Sequence, residues 1–314
     1  MFTSSNQLRK KVSPLEFHFI LPSLPDSLVL TDFFGFCFFL LFVLLLCPFC
    51  TGNFDRTGPY KCQFTREAVK ALRKKLRSLG SDLVIRIGSP EDVLPQLCQA
   101  TSASLVFCHG EVSKRDQAVE DEVEKALRKQ KGNVQLERCW GSSTLHHIKD
   151  VPFELESMPA NYSAFCKQVE NTEIKPAASA PKKMKPWPLS GSRIRRGRVP
   201  TLEQLGLPPQ KNMHLKMRSG RKAQGGEEVA LSHLKRCSKG KGQVQRVPDQ
   251  LAPWLSLGCI SVRRVREEIL PSIRGGGMER EFIFELLWRD FFRFSRLKIS
   301  KGNQKRRYAA AAAV

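Results

Sequence analysis

The sequence predicts an α/β half built on a mainly parallel sheet, followed by an all-helical half. Three observations carry this. Between residues 58 and 173, short apolar strands alternate with amphipathic helices, the pattern of parallel crossover units. A Pro-rich basic stretch then interrupts the pattern. Beyond residue 226 the apolar positions recur at helical spacing.

Each element has a local signal. Thr65 reads as the cap of a helix whose apolar residues Ala68, Val69, Leu72, Leu76 and Leu79 share one face, with Gly80 as its left-handed stop. Residues 82–87 read as a strand. Ser89-Pro90-Glu91-Asp92 combines a cap, a proline at the first helical position and an acidic first turn. Residues 104–108 form another strand, 113–130 a charged amphipathic helix and 134–140 a further strand. A short helix is expected at 201–205 and an amphipathic one at 227–237. Residues 251–259 are apolar around Pro253, and Ser261 caps a helix over 262–270. Gly275, Gly276 and Gly277 break the chain before the strongest helix, 278–298, with Phe282, Ile283, Leu286, Leu287, Phe291 and Phe294 as its apolar positions. Residues 309–313 are an alanine tail.

The net charge is +22, and residues 175–314 hold 31 Lys and Arg against 10 Asp and Glu. A polyanion partner, if there is one, is therefore expected on the second half. Residues 175–225 hold thirteen basic residues against the single acid Glu203, including Arg193, Arg195, Arg196 and Arg198. That stretch reads equally as a nuclear-localisation patch, a nucleic-acid-binding loop or a solvated linker. Ten cysteines are scattered without paired CxxC or Cys/His zinc spacing, so no metal is expected and the thiols read as reduced, in an intracellular protein. Residues 33–46 consist of Phe, Leu, Val, Gly and Cys alone. Three readings are open: a signal anchor, an unusual first exon, and a buried core segment, the last the least favoured.

Three segments of the basic half carry a family likeness. They are Gly225-Gly226-Glu227, then Leu251-Ala252-Pro253-Trp254-Leu255-Ser256-Leu257-Gly258-Cys259-Ile260-Ser261, then Phe284-Glu285-Leu286-Leu287-Trp288-Arg289-Asp290-Phe291-Phe292-Arg293-Phe294. Together they resemble the photolyase/cryptochrome family. In the first half, Thr57-Gly58-Pro59 and Gly88-Ser89-Pro90-Glu91-Asp92-Val93-Leu94 agree. Trp140-Gly141, Thr144-Leu145-His146-His147, Val151-Pro152-Phe153 and Val199-Pro200-Thr201-Leu202-Glu203-Gln204-Leu205-Gly206 resemble its cryptochrome DASH branch.

The resemblance implies a Rossmann-like antenna domain, a linker and a partial helical domain for FAD and DNA. It divides the chain into a divergent 1–54, an α/β domain 55–174, the linker 175–225, a helical domain 226–298 and an unrelated tail 299–314. It also implies blue-light-driven repair of cyclobutane pyrimidine dimers, preferably in single-stranded DNA, or light sensing, with a folate as possible antenna. Spacing puts Glu285, Trp288 and Arg289 on one helix face. By resemblance, Trp288 stacks on the flipped lesion, Glu285 hydrogen-bonds it, and Arg289 and Trp254 stand beside the flavin. Arg193, Arg195, Arg196 and Arg198 are assigned to DNA.

The chain also departs from the family. The opening strand is expected to be missing, which would leave a bare sheet edge. Residues 237–250 lack the run that contacts flavin phosphates, Ser142-Ser143 adds a residue, and the likeness ends near Lys298. Weak or absent FAD binding is therefore expected. The alternative is a non-catalytic basic protein that binds nucleic acid.

Overall fold

The computed structural model describes residues 42–46, 54–101, 103–130, 134–140, 143–184, 194–205, 207, 215–216, 222–239, 247–273 and 276–311. The chain runs β1 (Phe42–Leu46), α1 (Phe54–Ser78), β2 (Leu83–Ile87), α2 (Pro90–Thr101), β3 (Leu105–His109), α3 (Lys114–Arg128), β4 (Gln135–Cys139) and α4 (Tyr162–Val169). A two-residue hairpin follows, β5 (Leu215–Lys216) and β6 (Lys222–Ala223), and then α5 (Glu227–Lys239), α6 (Val247–Ser256), α7 (Val262–Ile269) and α8 (Gly276–Ala311).

The expected missing strand is present. Phe42–Leu46 pairs in parallel with β2 over five residues, Phe42 against Leu83 through Leu46 against Ile87. Strands of parallel sheets are covered on both faces and read as unbroken apolar runs, so hydropathy alone cannot separate one from a membrane segment. Among the described residues no helix is long and apolar enough to cross a membrane. Residues 33–41 of the same run lie outside the described residues. The second ladder, β3 with β4, is also parallel, as the alternation of helices and strands predicts.

Thr65 does not begin α1. The helix starts at Phe54, and Thr65 is buried inside it, its Oγ1 donating to the Lys61 carbonyl at 2.9 Å. A threonine hydroxyl satisfied by the preceding turn no longer competes as a cap. The stop is as expected: Gly80 has φ 91°, and the Ser81 N–H reaches back to the Leu76 carbonyl at 2.9 Å. Ser113 and Ser261 both cap, accepting from the Asp116 and Arg264 N–H groups at 3.1 and 3.0 Å. At the short turn Glu203–Leu205, Thr201 and Gln204 exchange side-chain bonds to each other's backbone N–H, a capping box.

The linker is not merely solvated. Residues 194–200 lie along the β2 edge that β1 leaves open. The Ile85 N–H donates to the Arg196 carbonyl at 2.9 Å, and Arg73 Nη1 and Arg66 Nε donate to the Gly197 and Pro200 carbonyls at 2.8 and 2.7 Å. A covered edge cannot recruit another strand. Gly197 is required there. Its φ is 69°, and a Cβ would stand 2.2 Å from the Ile85 carbonyl oxygen. Asp82 anchors the same corner, its carboxylate 2.9 Å from Arg73, 3.2 Å from Arg77 and 3.3 Å from Arg196. Burial alone would push the Asp82 carboxyl up. The Leu83 N–H and the two guanidinium groups of α1 outweigh it and hold it below its ordinary value.

The halves share one core. Phe64 of α1, Phe165 of α4, Leu234 of α5, Trp254 of α6 and Phe282 and Phe294 of α8 belong to a single buried cluster. A second cluster, with Val84, Leu97, Val106 and Leu127, fills the α/β layer. The halves approach closely at Gly225, where a Cβ would lie 2.0 Å from the Phe64 carbonyl oxygen. The strongest helix is longer than expected: α8 runs past Lys298 to Ala311, across Gly302 and Asn303 and into Lys, Gln, Arg and Ala residues of good helix propensity.

Gly197→Ala is expected to lower the melting temperature more than Gly258→Ala. Both positions have positive φ, but a Cβ at Gly258 meets nothing within 4 Å. The control isolates the close approach, and equal melting points would show that the linker is not seated on the strand. Asp82→Asn is expected to cost roughly 2 kcal/mol at neutral pH, less than a fully buried pair because Arg77 and Arg196 reach solvent. The lowered carboxyl makes this stability present above the unfolded value near pH ~4 and lost as pH falls through the folded one. Urea melts of both proteins should therefore converge in acid, and a gap that widens there contradicts the pairing.

Candidate functional site

The site is built on α8, whose inner face buries Phe282, Leu286, Leu287 and Phe294. One carboxylate interrupts that stripe. Asp290 is fully buried, and its two oxygens accept from the Leu145 and His146 N–H groups, each at 2.8 Å. Arg263 of α7, also buried, donates from Nε to the Leu145 carbonyl at 2.9 Å. Within the loop, the Trp140 indole donates to Thr144 Oγ1 at 3.0 Å, and Thr144 Oγ1 donates to the His146 carbonyl at 2.7 Å. The loop after β4 is thus held to the helical half from both sides.

Arg289 does the same work one residue earlier. Its Nε donates to the Ser143 carbonyl at 2.7 Å and its Nη2 to the Leu255 carbonyl at 2.8 Å. Burial, with Arg293 next to it, lowers its pKa from the ordinary arginine value. Arg289, expected beside the flavin, ties α6 to the loop after β4 through these two bonds. Trp254 is spent. It is 1% exposed, its indole donates to the Gln224 carbonyl at 2.9 Å, and its ring meets Phe64 and His233 at 5.8 and 5.4 Å. Trp254 spends its one N–H inside the fold, whereas Arg289 is partly exposed and its guanidinium carries N–H groups beyond these two bonds, which fits a contact to FAD.

The opposite face of α8 is different. Glu285, Trp288 and Phe292 recur at helical spacing and are exposed, Trp288 at 38% and Phe292 at 58%. Trp288 stacks on Tyr162, with centroids 3.7 Å apart and planes 11° apart, and on Phe292 at 5.4 Å and 22°. Tyr162 is locked from below, its hydroxyl donating to the Phe284 carbonyl. Burial, then the neighbouring Cys166, push the phenol well above its ordinary value, so it stays a donor. Asn161 caps α4 beneath it, accepting from the Ala164 N–H at 2.8 Å. The result is an aromatic platform with a carboxylate three residues away; Glu285 and Trp288 share the face expected from spacing, whereas Arg289, expected with them, turns to the Ser143 and Leu255 carbonyls.

The linker arginines divide. Arg196 pairs with Asp82 at 3.3 Å while its side chain stays about half exposed. Arg195 and Arg198 are exposed, and Arg193 lies outside the described residues. Of the two histidines, His146 lies buried 3.4 Å from Asp290, and His147 accepts from the Lys149 N–H at 3.1 Å. No group of His, Cys, Asp and Glu that could hold a metal occurs among the described residues.

Tyr162, Asp290 and Arg263 were not foreseen as site or joint residues. A carboxylate falling in the core stripe of α8 was the signal for Asp290, since a buried charge requires partners. Tyr162 had none beyond the Asn161 cap.

Comparison with known proteins decides the family. The DNA photolyase family matches residues 39–184, starting just ahead of β1. The chain is 36% identical over 278 residues to a protein named Blue-light photoreceptor PHR2 of Arabidopsis thaliana, covering 80% of this chain and 61% of that one. The chain belongs to the photolyase/cryptochrome family. A cryptochrome DASH of Gloeobacter violaceus is 35% identical over 259 residues, 77% of this chain and 50% of its own. Among solved structures, a Synechocystis cryptochrome superposes with a TM-score of 0.70 at 28% identity, over 82% of this chain and 55% of that chain. The chain thus spans about half to three-fifths of the length of these relatives.

Asp290→Asn is expected to destabilise the fold by about 2–4 kcal/mol, because an amide can accept from only one of the two N–H groups and turns its own donors toward the other. Thermal melting should register this loss, while exposed Glu285→Gln stays within about 0.5 kcal/mol of the unmodified chain. An Asp290→Asn melt equal to that of the unmodified chain would remove the joint from the account.

Proposed function

We propose that this chain acts as a photolyase/cryptochrome-type protein on damaged DNA, and that its own contribution is the wall that receives the lesion. The observation that carries this is the Trp288 platform: an exposed indole backed by Tyr162 at 3.7 Å, flanked by Phe292 and by exposed Glu285. A base extruded from a strand gains about 1–3 kcal/mol by stacking on such a ring. Glu285 accepts a hydrogen bond from an imide N–H or stabilises charge that develops on the base. A cyclobutane pyrimidine dimer, already weakly paired, is cheap to extrude, and cheapest from a single strand.

FAD as chromophore and a folate as antenna complete this reading; when bound, the flavin would lend in light the electron that splits the dimer and take it back afterwards. The described cysteines are free thiols, which fits an intracellular compartment. The second reading, a nucleic-acid-binding protein without photochemistry, needs only exposed basic residues such as Arg195 and Arg198.

Flavin absorbance of the purified chain and repair of a dimer-bearing single strand, in light and in darkness, separate the two. Light-dependent repair is expected, with Trp288→Ala losing roughly 10–100-fold in affinity for the lesion while still binding undamaged strand. Absence of both flavin and light dependence leaves the binding-only reading.

A further inference from the structure

The basic linker was assigned to DNA for its composition, yet its docking changes what it can do. Seating residues 194–200 on β2 places them beside the outer face of α1, whose Lys70, Lys74 and Arg77 are exposed. At the seam one carboxylate, Asp82, meets three guanidinium groups, so the corner stays cationic. Arg195 and Arg198 flank it, exposed, and neither meets a carboxylate among the described residues. Two backbone bonds fix the chain between them, Arg196 carbonyl to Ile85 and Gly197 carbonyl to Arg73, and the Pro200 carbonyl to Arg66 and the Arg196 side chain to Asp82 support it. Flexible charge is thereby turned into a ridge of set spacing.

We propose that this docked linker and the outer face of α1 form a second surface for the phosphate backbone of nucleic acid, separate from the Trp288 platform. The two surfaces stand on different elements, α1 with the linker on one side and α4 with α8 on the other. Arginine forks match phosphate oxygens, and phosphate contacts position a strand without reading its bases. An anionic membrane is the poorer occupant. Interfacial binding needs an exposed apolar face, whereas Val69 and Leu76 of α1 are buried inward. The exposed large hydrophobics Met278, Trp288, Phe292 and Ile299 lie on α8, and α1 and β2 add one each, Tyr60 and Ile87, which make no continuous apolar face. The inference rests on the proposed function only for the kind of polyanion.

The test uses an undamaged single-stranded oligonucleotide, so it needs neither flavin nor light. Binding is followed by fluorescence anisotropy from roughly 50 to 200 mM salt. Replacing two phosphate contacts, Arg195→Gln with Arg198→Gln, should flatten the slope of log affinity against log salt by about 1–1.5, with the melting temperature unchanged. Trp288→Ala should leave the slope alone. Gly197→Ala keeps every charge but unseats the ridge, and should also flatten the slope, with circular dichroism confirming the fold. If the double variant keeps the parent slope, the surface is not a phosphate site. If only Gly197→Ala keeps it, the charge acts without the docking and the built ridge is wrong. Phosphatidylserine vesicles are run in parallel, and their loss in the double variant with oligonucleotide binding intact transfers the surface to membranes. A flattened slope beside absent photorepair upholds this surface and overturns only the repair reading.

Discussion

The fold depends on one buried carboxylate. Asp290 sits in the apolar stripe of α8 and is paired with the two N–H groups of Leu145 and His146. A carboxylate in such a place is costly unless every lone pair has a use. It is accepted here because the loop after β4 would otherwise bury its own N–H groups unsatisfied. Arg263 and Arg289 then hold the Leu145 and Ser143 carbonyls of the same loop. The halves are joined through polar groups as well as through the apolar core, which fixes the rotation of α8. That rotation decides that Trp288 faces outward and Leu287 inward.

The legible parts of this chain are those with local causes. Gly80, Ser113 and Ser261 act through bonds to residues within five positions, so a sequence window contains the whole interaction. Thr65 shows the limit: the same residue type caps a helix or hides inside one, and the buried Cys62 and Phe64 before it decide the matter. β1 was misread because an apolar run has the same hydropathy in a sheet and in a membrane. Its partner, β2, stands about forty residues away. The platform was half legible. Glu285 and Trp288 share a face by helical arithmetic, whereas Tyr162 reaches Trp288 from 126 positions upstream through tertiary packing alone.

The charge that first pointed to a polyanion is now divided by position. Arg66, Arg73, Arg263, Arg289 and Lys298 donate to backbone carbonyls of Pro200, Gly197, Leu145, Ser143 with Leu255, and Met158. These cations have structural work, and a basic count over the second half includes Arg263, which is buried, and Arg289 and Lys298, which are partly so. Arginine suits the role because its planar fork can serve two carbonyls at once, as Arg289 does. Exposed cation lies along the linker and also along α1, which belongs to the half of the chain that composition left neutral.

A division of labour between charge and stacking follows. The platform carries Glu285 beside Trp288, and a carboxylate repels phosphates. Selectivity there must come from ring contact and hydrogen bonding with a base, which are short-ranged and insensitive to salt. Docking of a strand needs the opposite: long-ranged attraction that ignores base identity. Placing the two on separate elements lets a basic ridge hold a strand without drawing phosphates into the pocket wall. A single surface carrying both would set Glu285 against the charge meant to recruit the strand.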